Sequence, residues 1–189
     1  MKNLNLLFVW LLIGGMIALS TNISAQNQSV SEKDTEVKII NWLSGAGQSL
    51  TAVKVNQSFK LRMMPANDSD AQIWYVHEVD AEKEVFFLWN KMIGRKHIVS
   101  ISPGEGKGFQ LKMIPETRAG EYGLFKMDIT GNGAEGAMGY IHLDVEPGRV
   151  FINKEVNGES VVKLAPKKDH LNSDAILWSI LYKNAISEE

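Results

Sequence analysis

Apolar side chains occupy every second position in short runs along most of this chain. Phe59, Leu61 and Met63 do so in "SFKLRMM", and Phe109, Leu111 and Met113 do so in "FQLKMI". In "AQIWYVHEV", Ile73, Tyr75, His77 and Val79 are set against Trp74, Val76 and Glu78. A period of two puts alternate residues on one side of an extended strand, where a helix would scatter them. Comparable runs begin near residues 36, 50, 84, 96, 121, 138, 149 and 160, about every 10–14 residues. Turn chemistry lies between them: Asp80–Lys83, "SPGEGKG" at 102–108, "TGNGAEGA" at 130–137, and Asn157-Gly158, a strong hairpin dipeptide. Read segment by segment, the chain shows no internal repeat. The pattern predicts an all-β, mainly antiparallel fold of about 8–10 strands.

One segment has another period. In "SDAILWSILYKNAI" Ile176, Leu177, Ile180, Leu181 and Tyr182 are spaced as on a helix, with Asn172 or Ser173 able to cap it. We expect a helix over 173–186, within a helical segment 169–189. The amino terminus reads as an export signal: Lys2, an apolar core from Leu6 to Leu19, and Ser24-Ala25 before the cut. Gly14-Gly15 and the polar residues after Leu19 shorten that core below a membrane span, so no span is expected once the signal is removed. Residues 26–35 read as a polar leader and residues 36–168 as the β-domain, giving a periplasmic or secreted protein.

The chain has no cysteine, so its core must hold without disulfides. With the signal removed, 19 basic residues stand against 22 acidic ones and no basic stripe stands out, which argues against a nucleic-acid partner.

"TRAGEYGLFKMDI" resembles the tyrosine corner of bacterial exported immunoglobulin-like and fibronectin-like domains. That resemblance implies an Ig-like β-sandwich with structural roles for Gly120 and for Tyr122, whose hydroxyl would return to the backbone between Glu116 and Ala119. "VNQSFKLRMMPANDSDAQIWYV", with "GEGKG", resembles the Ig-like chagasin-type inhibitors of cysteine proteases, although their Asn-Pro-Thr-Thr-Gly signature is not in "PANDSDAQ".

Chemistry-bearing patterns are few. Gly131, Gly133 and Gly136 match G-x-G-x-x-G, but an alternating run follows where a dinucleotide site needs a helix, so a hairpin loop is expected. His142 and Asp144 share one strand face, which we expect to be solvated and able to supply two ligands of a site. Trp74 and Trp89 belong to an aromatic hairpin, one side of which would be exposed for binding unless the C-terminal helix covers it. No catalytic residues, metal site or cofactor are expected. The sequence therefore points to an exported non-catalytic binding, adhesion or cell-envelope accessory module whose partner is a protein or a glycan. Ligand-binding residues would be Trp74, Trp89, His142 and Asp144. The alternatives are an exported hydrolase with a dispersed site and an Ig-like protease inhibitor.

Overall fold

Twelve strands account for nearly all the regular structure of the chain in a computed structural model that describes residues 34–101, 109–133 and 135–182. They are β1 (Asp34–Asn41), β2 (Gln48–Val55), β3 (Ser58–Pro65), β4 (Trp74–Asp80), β5 (Val85–Asn90), β6 (His97–Ile101), β7 (Phe109–Pro115), β8 (Phe125–Gly133), β9 (Gly136–Leu143), β10 (Arg149–Val156), β11 (Glu159–Pro166) and β12 (Trp178–Tyr182). Every pairing among them is antiparallel. The expected signal at 1–25, most of the leader and the loop 102–108 lie outside the described residues. Asp34 and Thr35, read as leader, begin β1.

The pairings β1–β4, β4–β5, β5–β8, β8–β9, β9–β12 and β12–β1 form a ring, so six strands close into a barrel. The remaining six form three hairpins, β2–β3, β6–β7 and β10–β11, whose second strands meet over one barrel end through the β3–β7 and β7–β11 pairings. This architecture replaces the expected Ig-like sandwich. In a sandwich two sheets face each other, whereas here one sheet closes on itself and leaves no barrel edge unpaired.

The same four-strand unit occurs three times: β1–β4, β5–β8 and β9–β12. Its register exposes a repeat hidden in the sequence. Pro65, Pro115 and Pro166 end the third strand of each unit, and Trp74, Phe125 and Trp178 begin the fourth. "FKLRMMP" and "FQLKMIP" are two copies of one hairpin strand, followed more distantly by "SVVKLAP". The three aromatic residues are fully buried. Trp74 and Trp178 donate from the indole to Leu50 O at 2.7 Å and Phe151 O at 3.0 Å, equivalent positions of β2 and β10. Around them Phe151 meets Phe125 and Trp178 edge-on, with centroids 5.0 and 6.1 Å apart. Hairpin residues such as Leu61, Leu111 and Val162 close the top of this layer.

Within the segment expected to be helical, Trp178–Tyr182 is the strand β12, and residues 183–189 lie outside the described residues. Ser173 does cap a turn, its hydroxyl accepting from Ala175 N–H at 3.2 Å, but the turn is a single 3-10 turn, Asp174–Ile176. Trp178 then pairs with both Gly139 and Asn41, because β12 is the stave between β9 and β1. Two neighbours offering backbone partners outweigh a local helical preference. The expected tyrosine corner is also absent: "ETRAGEYG" forms a short helix α1 (Glu116–Ala119) and a 3-10 turn, Gly120–Gly123. Gly120 joins them at φ +50°, a left-handed φ that glycine tolerates without strain. Tyr122 is partly exposed, and among the described residues its hydroxyl bonds to nothing; its carbonyl accepts from Ser100 Oγ at 3.0 Å. Of the glycine-rich stretch, Gly131 and Gly133 belong to the end of β8 and Gly136 begins β9, while Ala134 lies outside the described residues.

Candidate functional site

Three equivalent loop pairs surround the barrel, each made of the loop that follows a unit's first strand and the connection that follows its third. Their equivalence is fixed by backbone bonds. Gln48, His97 and Arg149 each donate N–H to the residue three before, and Ala66, Glu116 and Lys167 each donate to the opposite loop, at Gly47, Lys96 and Gly148. On the same loops Trp42, Lys91 and Asp144 donate to the carbonyls of Leu177, Ile73 and Leu124. The residues after those three, Leu43, Met92 and Val145, are apolar and well exposed.

In other respects the three loops diverge. Lys91 pairs with Asp70 at 3.1 Å and Asp144 with Lys126 at 3.0 Å. Trp42 is 50% exposed, and its indole N–H is taken by Ser179 Oγ at 3.0 Å, which anchors one edge of the ring. The groove of the third pair, about 550 Å³, is lined by Glu146, Arg149, Pro166, Lys167, Lys168 and Leu171. A second hollow of about 360 Å³ lies at the barrel mouth among Thr35, Val76, Glu78, Met127, Ile180 and Tyr182.

Of the residues singled out from sequence, Asp144 lies on the third of these loops, whereas Trp74, Trp89 and His142 lie elsewhere. Trp74 has no exposed surface and belongs to the core. Trp89 is buried, stacked on Tyr75 at 4.1 Å, and donates to Asp34 Oδ1 at 3.2 Å. The expected open aromatic face is therefore a second core outside the barrel, completed by Ile73, Ile98 and Ala119 instead of by a C-terminal helix. Burial, and then the Glu36 carboxylate that accepts from it at 2.7 Å, push the Tyr75 hydroxyl above its ordinary range, so it stays protonated.

His142 points outward with Asp144, as the alternation requires, but it is 4% exposed and not solvated. Its Nδ1 faces Leu143 O at 2.9 Å and its Nε2 faces Asp128 Oδ1 at 3.2 Å, while Lys167 reaches over to Asp128 Oδ2 at 2.7 Å and lies above the Tyr140 ring. The other sheltered pair, His77 with Asp34, has Nδ1 on the carboxylate at 2.7 Å and Nε2 against Arg95 at 3.3 Å. Both nitrogens of His142 face protein oxygens, whereas in His77 one Arg95 nitrogen lies 3.4 Å from Nδ1 and 3.3 Å from Nε2. Among the described residues, no three His, Asp or Glu gather to hold a metal ion, and no helix is long and apolar enough to cross a membrane.

The hydrogen bond from Lys167 holds the Asp128 carboxyl below its usual range, with the His142 ring adding to the effect. Folding thus favours the anion. The resulting stabilisation is complete above the unfolded carboxyl pKa of about 4 and disappears as pH falls through the lower folded value. We expect the stability difference between wild type and Asp128→Asn, followed by chemical denaturation, to shrink between pH about 5 and about 2. A constant difference across that range would show that the bridge contributes nothing.

No protein-family model matches the sequence, and no curated protein matches it. The fold has clear counterparts among solved structures. The designed three-fold symmetric protein ThreeFoil superposes with a TM-score of 0.60 at 11% identity, covering 77% of this chain and 97% of that one. The BEL β-trefoil matches at 0.57 and 10% identity, covering 82% and 97%. The ricin B-like lectin of Macrolepiota procera, solved with lactose, matches at 0.56 and 15% identity, covering 80% and 97%. These likenesses make the chain's fold a β-trefoil and overturn the Ig-like assignment.

Proposed function

We propose that this chain is an exported, non-catalytic carbohydrate-binding module built on the β-trefoil. The observation that carries the reading is Trp42. Its indole edge is anchored on Ser179 and half of the residue is exposed, on a loop of a fold shared with a lactose-bound lectin. A fixed aromatic face can take the apolar side of a sugar ring at little entropic cost, because the ring is already immobilised. On the same unit, Lys38 of β1 pairs with the highly exposed Asp68 at 2.8 Å. Export rests on the pattern of the first 25 residues, to be tested by fractionation of cells expressing the whole chain. The protease-inhibitor alternative depended on Ig-like loops and is withdrawn with them. The hydrolase alternative draws no support from the two sheltered histidine–aspartate pairs.

A glycan array followed by calorimetry tests the reading. Trp42→Ala should weaken the best-binding saccharide by about three- to tenfold, and Trp42→Phe, which keeps a ring face, by less. No binding to any saccharide, or affinity unchanged in Trp42→Ala, would count against this surface as the site.

A further inference from the structure

The threefold repeat supplies an internal control for the third groove. The turn and connection that build it occur three times, yet their charges do not. Where this unit has Arg149, Lys167 and Lys168, the first has Gln48, Ala66 and Asn67, and the second has His97, Glu116 and Thr117. At the turn position three residues before Arg149, the third unit has Glu146 where the others have Gly45 and Gly94. The fold closes the same backbone bonds with none of these side chains, so packing of the trefoil does not demand them.

Arg149 is also held in a specific way. Its Nε donates to Glu146 Oε1 at 2.7 Å, and its guanidinium lies over the Phe109 ring, 4.4 Å from the centroid. One edge and one face are thus fixed. The terminal nitrogens make no hydrogen bond among the described residues, and Arg149 lines the groove. A guanidinium immobilised this way presents a two-pronged donor set matched to a planar or tetrahedral oxyanion. Lys168, also lining the groove, is exposed and has no ionic partner among the described residues, in contrast to Lys167, which is tied to Asp128. Pro166 and Leu171 give apolar surface beside these cations, and the volume falls within the ~300–1,000 Å³ of small-ligand sites.

We propose that the third groove is an anion-selective saccharide subsite in which Arg149 and Lys168 receive a carboxylate or sulfate carried by a sugar. The proposal rests on the carbohydrate-binding reading and names the class of sugar for a groove separate from Trp42. The test is calorimetry on the full chain with an oligogalacturonate, its methyl ester, a sulfated oligosaccharide, a panel of neutral oligosaccharides and a short DNA duplex. The acid should bind about tenfold more tightly than the ester, and the gap should narrow at high salt. Lys168→Gln, which disturbs no contact of the fold, and Arg149→Lys, which keeps the charge but loses the fork, should each weaken the acid several-fold and leave the ester unchanged. The tighter of the uronate and the sulfated sugar identifies the source of the anion. Equal binding of acid and ester, or tighter binding of the duplex, would overturn the proposal while leaving the carbohydrate reading in place. Failure of every saccharide, neutral ones included, would remove both.

Discussion

Alanine in place of Trp178 will lower the unfolding free energy by about 3–5 kcal/mol, measured by urea denaturation, the range for truncating a buried aromatic. The side chain has no exposed surface, packs edge-on against Phe151 and sits where β12 closes the barrel. A second substitution separates packing from hydrogen bonding. Trp178→Phe keeps a ring in the layer but leaves Phe151 O without its indole donor, which should cost about 1–3 kcal/mol in a buried setting. Phe125 occupies the equivalent place in the middle unit, so the fold accepts phenylalanine there when the facing strand is shaped for it. If Trp178→Phe proves as damaging as Trp178→Ala, then the carbonyl, not the packing, dominates this position.

The strands were readable because alternation is local. Phe59-x-Leu61-x-Met63 and Phe109-x-Leu111-x-Met113 mark buried faces without reference to anything distant, and both runs are strands in the structure. What closes the barrel is not local. "ILWSILY" satisfies either period, and only the gap between β9 and β1 decides for a strand. The repeat is hidden in the sequence because the connections from Pro65 to Trp74, from Pro115 to Phe125 and from Pro166 to Trp178 differ in length, and because the middle aromatic is phenylalanine instead of tryptophan. Once "SDAQIW" and "SDAILW" are placed on equivalent turns, the relation is plain.

The binding residues were misplaced for a related reason. Trp74 and Trp89 belong to an aromatic-rich run, yet in a closed barrel a strand buries its inward side, and here a second cluster covers the outward one. Trp42 carries no such signal, because it falls within the strand-like run that begins near residue 36. Its exposure follows from Asn41, which turns inward to the neighbouring connection and leaves the next residue outside.

That asparagine leads to the second large effect. Asn90→Leu should cost about 2–3 kcal/mol, and Asn41→Leu about 1–2 kcal/mol, in the same denaturation assay. Each asparagine is fully buried at the end of a unit's first strand and donates to two carbonyls of the adjoining 3-10 turn: Asn90 to Ala71 and Ile73, Asn41 to Ala175 and Leu177. The Ile73 and Leu177 carbonyls also accept a backbone N–H, so the carbonyl orphaned by leucine is the other one, Ala71 or Ala175. Asn90 additionally accepts from Met92 N–H at 3.2 Å, whereas the corresponding oxygen of Asn41 is buried with no partner. Removing Asn41 therefore relieves one cost while creating another, and its substitution should be the milder. The third unit shows how leucine is tolerated: Leu143 stands at this position, and the matching carbonyl, of Tyr122, is served by Ser100 instead. The residue equivalent to Ser100 beside Ala71 is Thr51, whose hydroxyl already donates to Ser49 O and accepts from Gln72, so no substitute donor waits for Asn90→Leu. Equal losses for the two variants would show that the orphaned carbonyls alone set the cost.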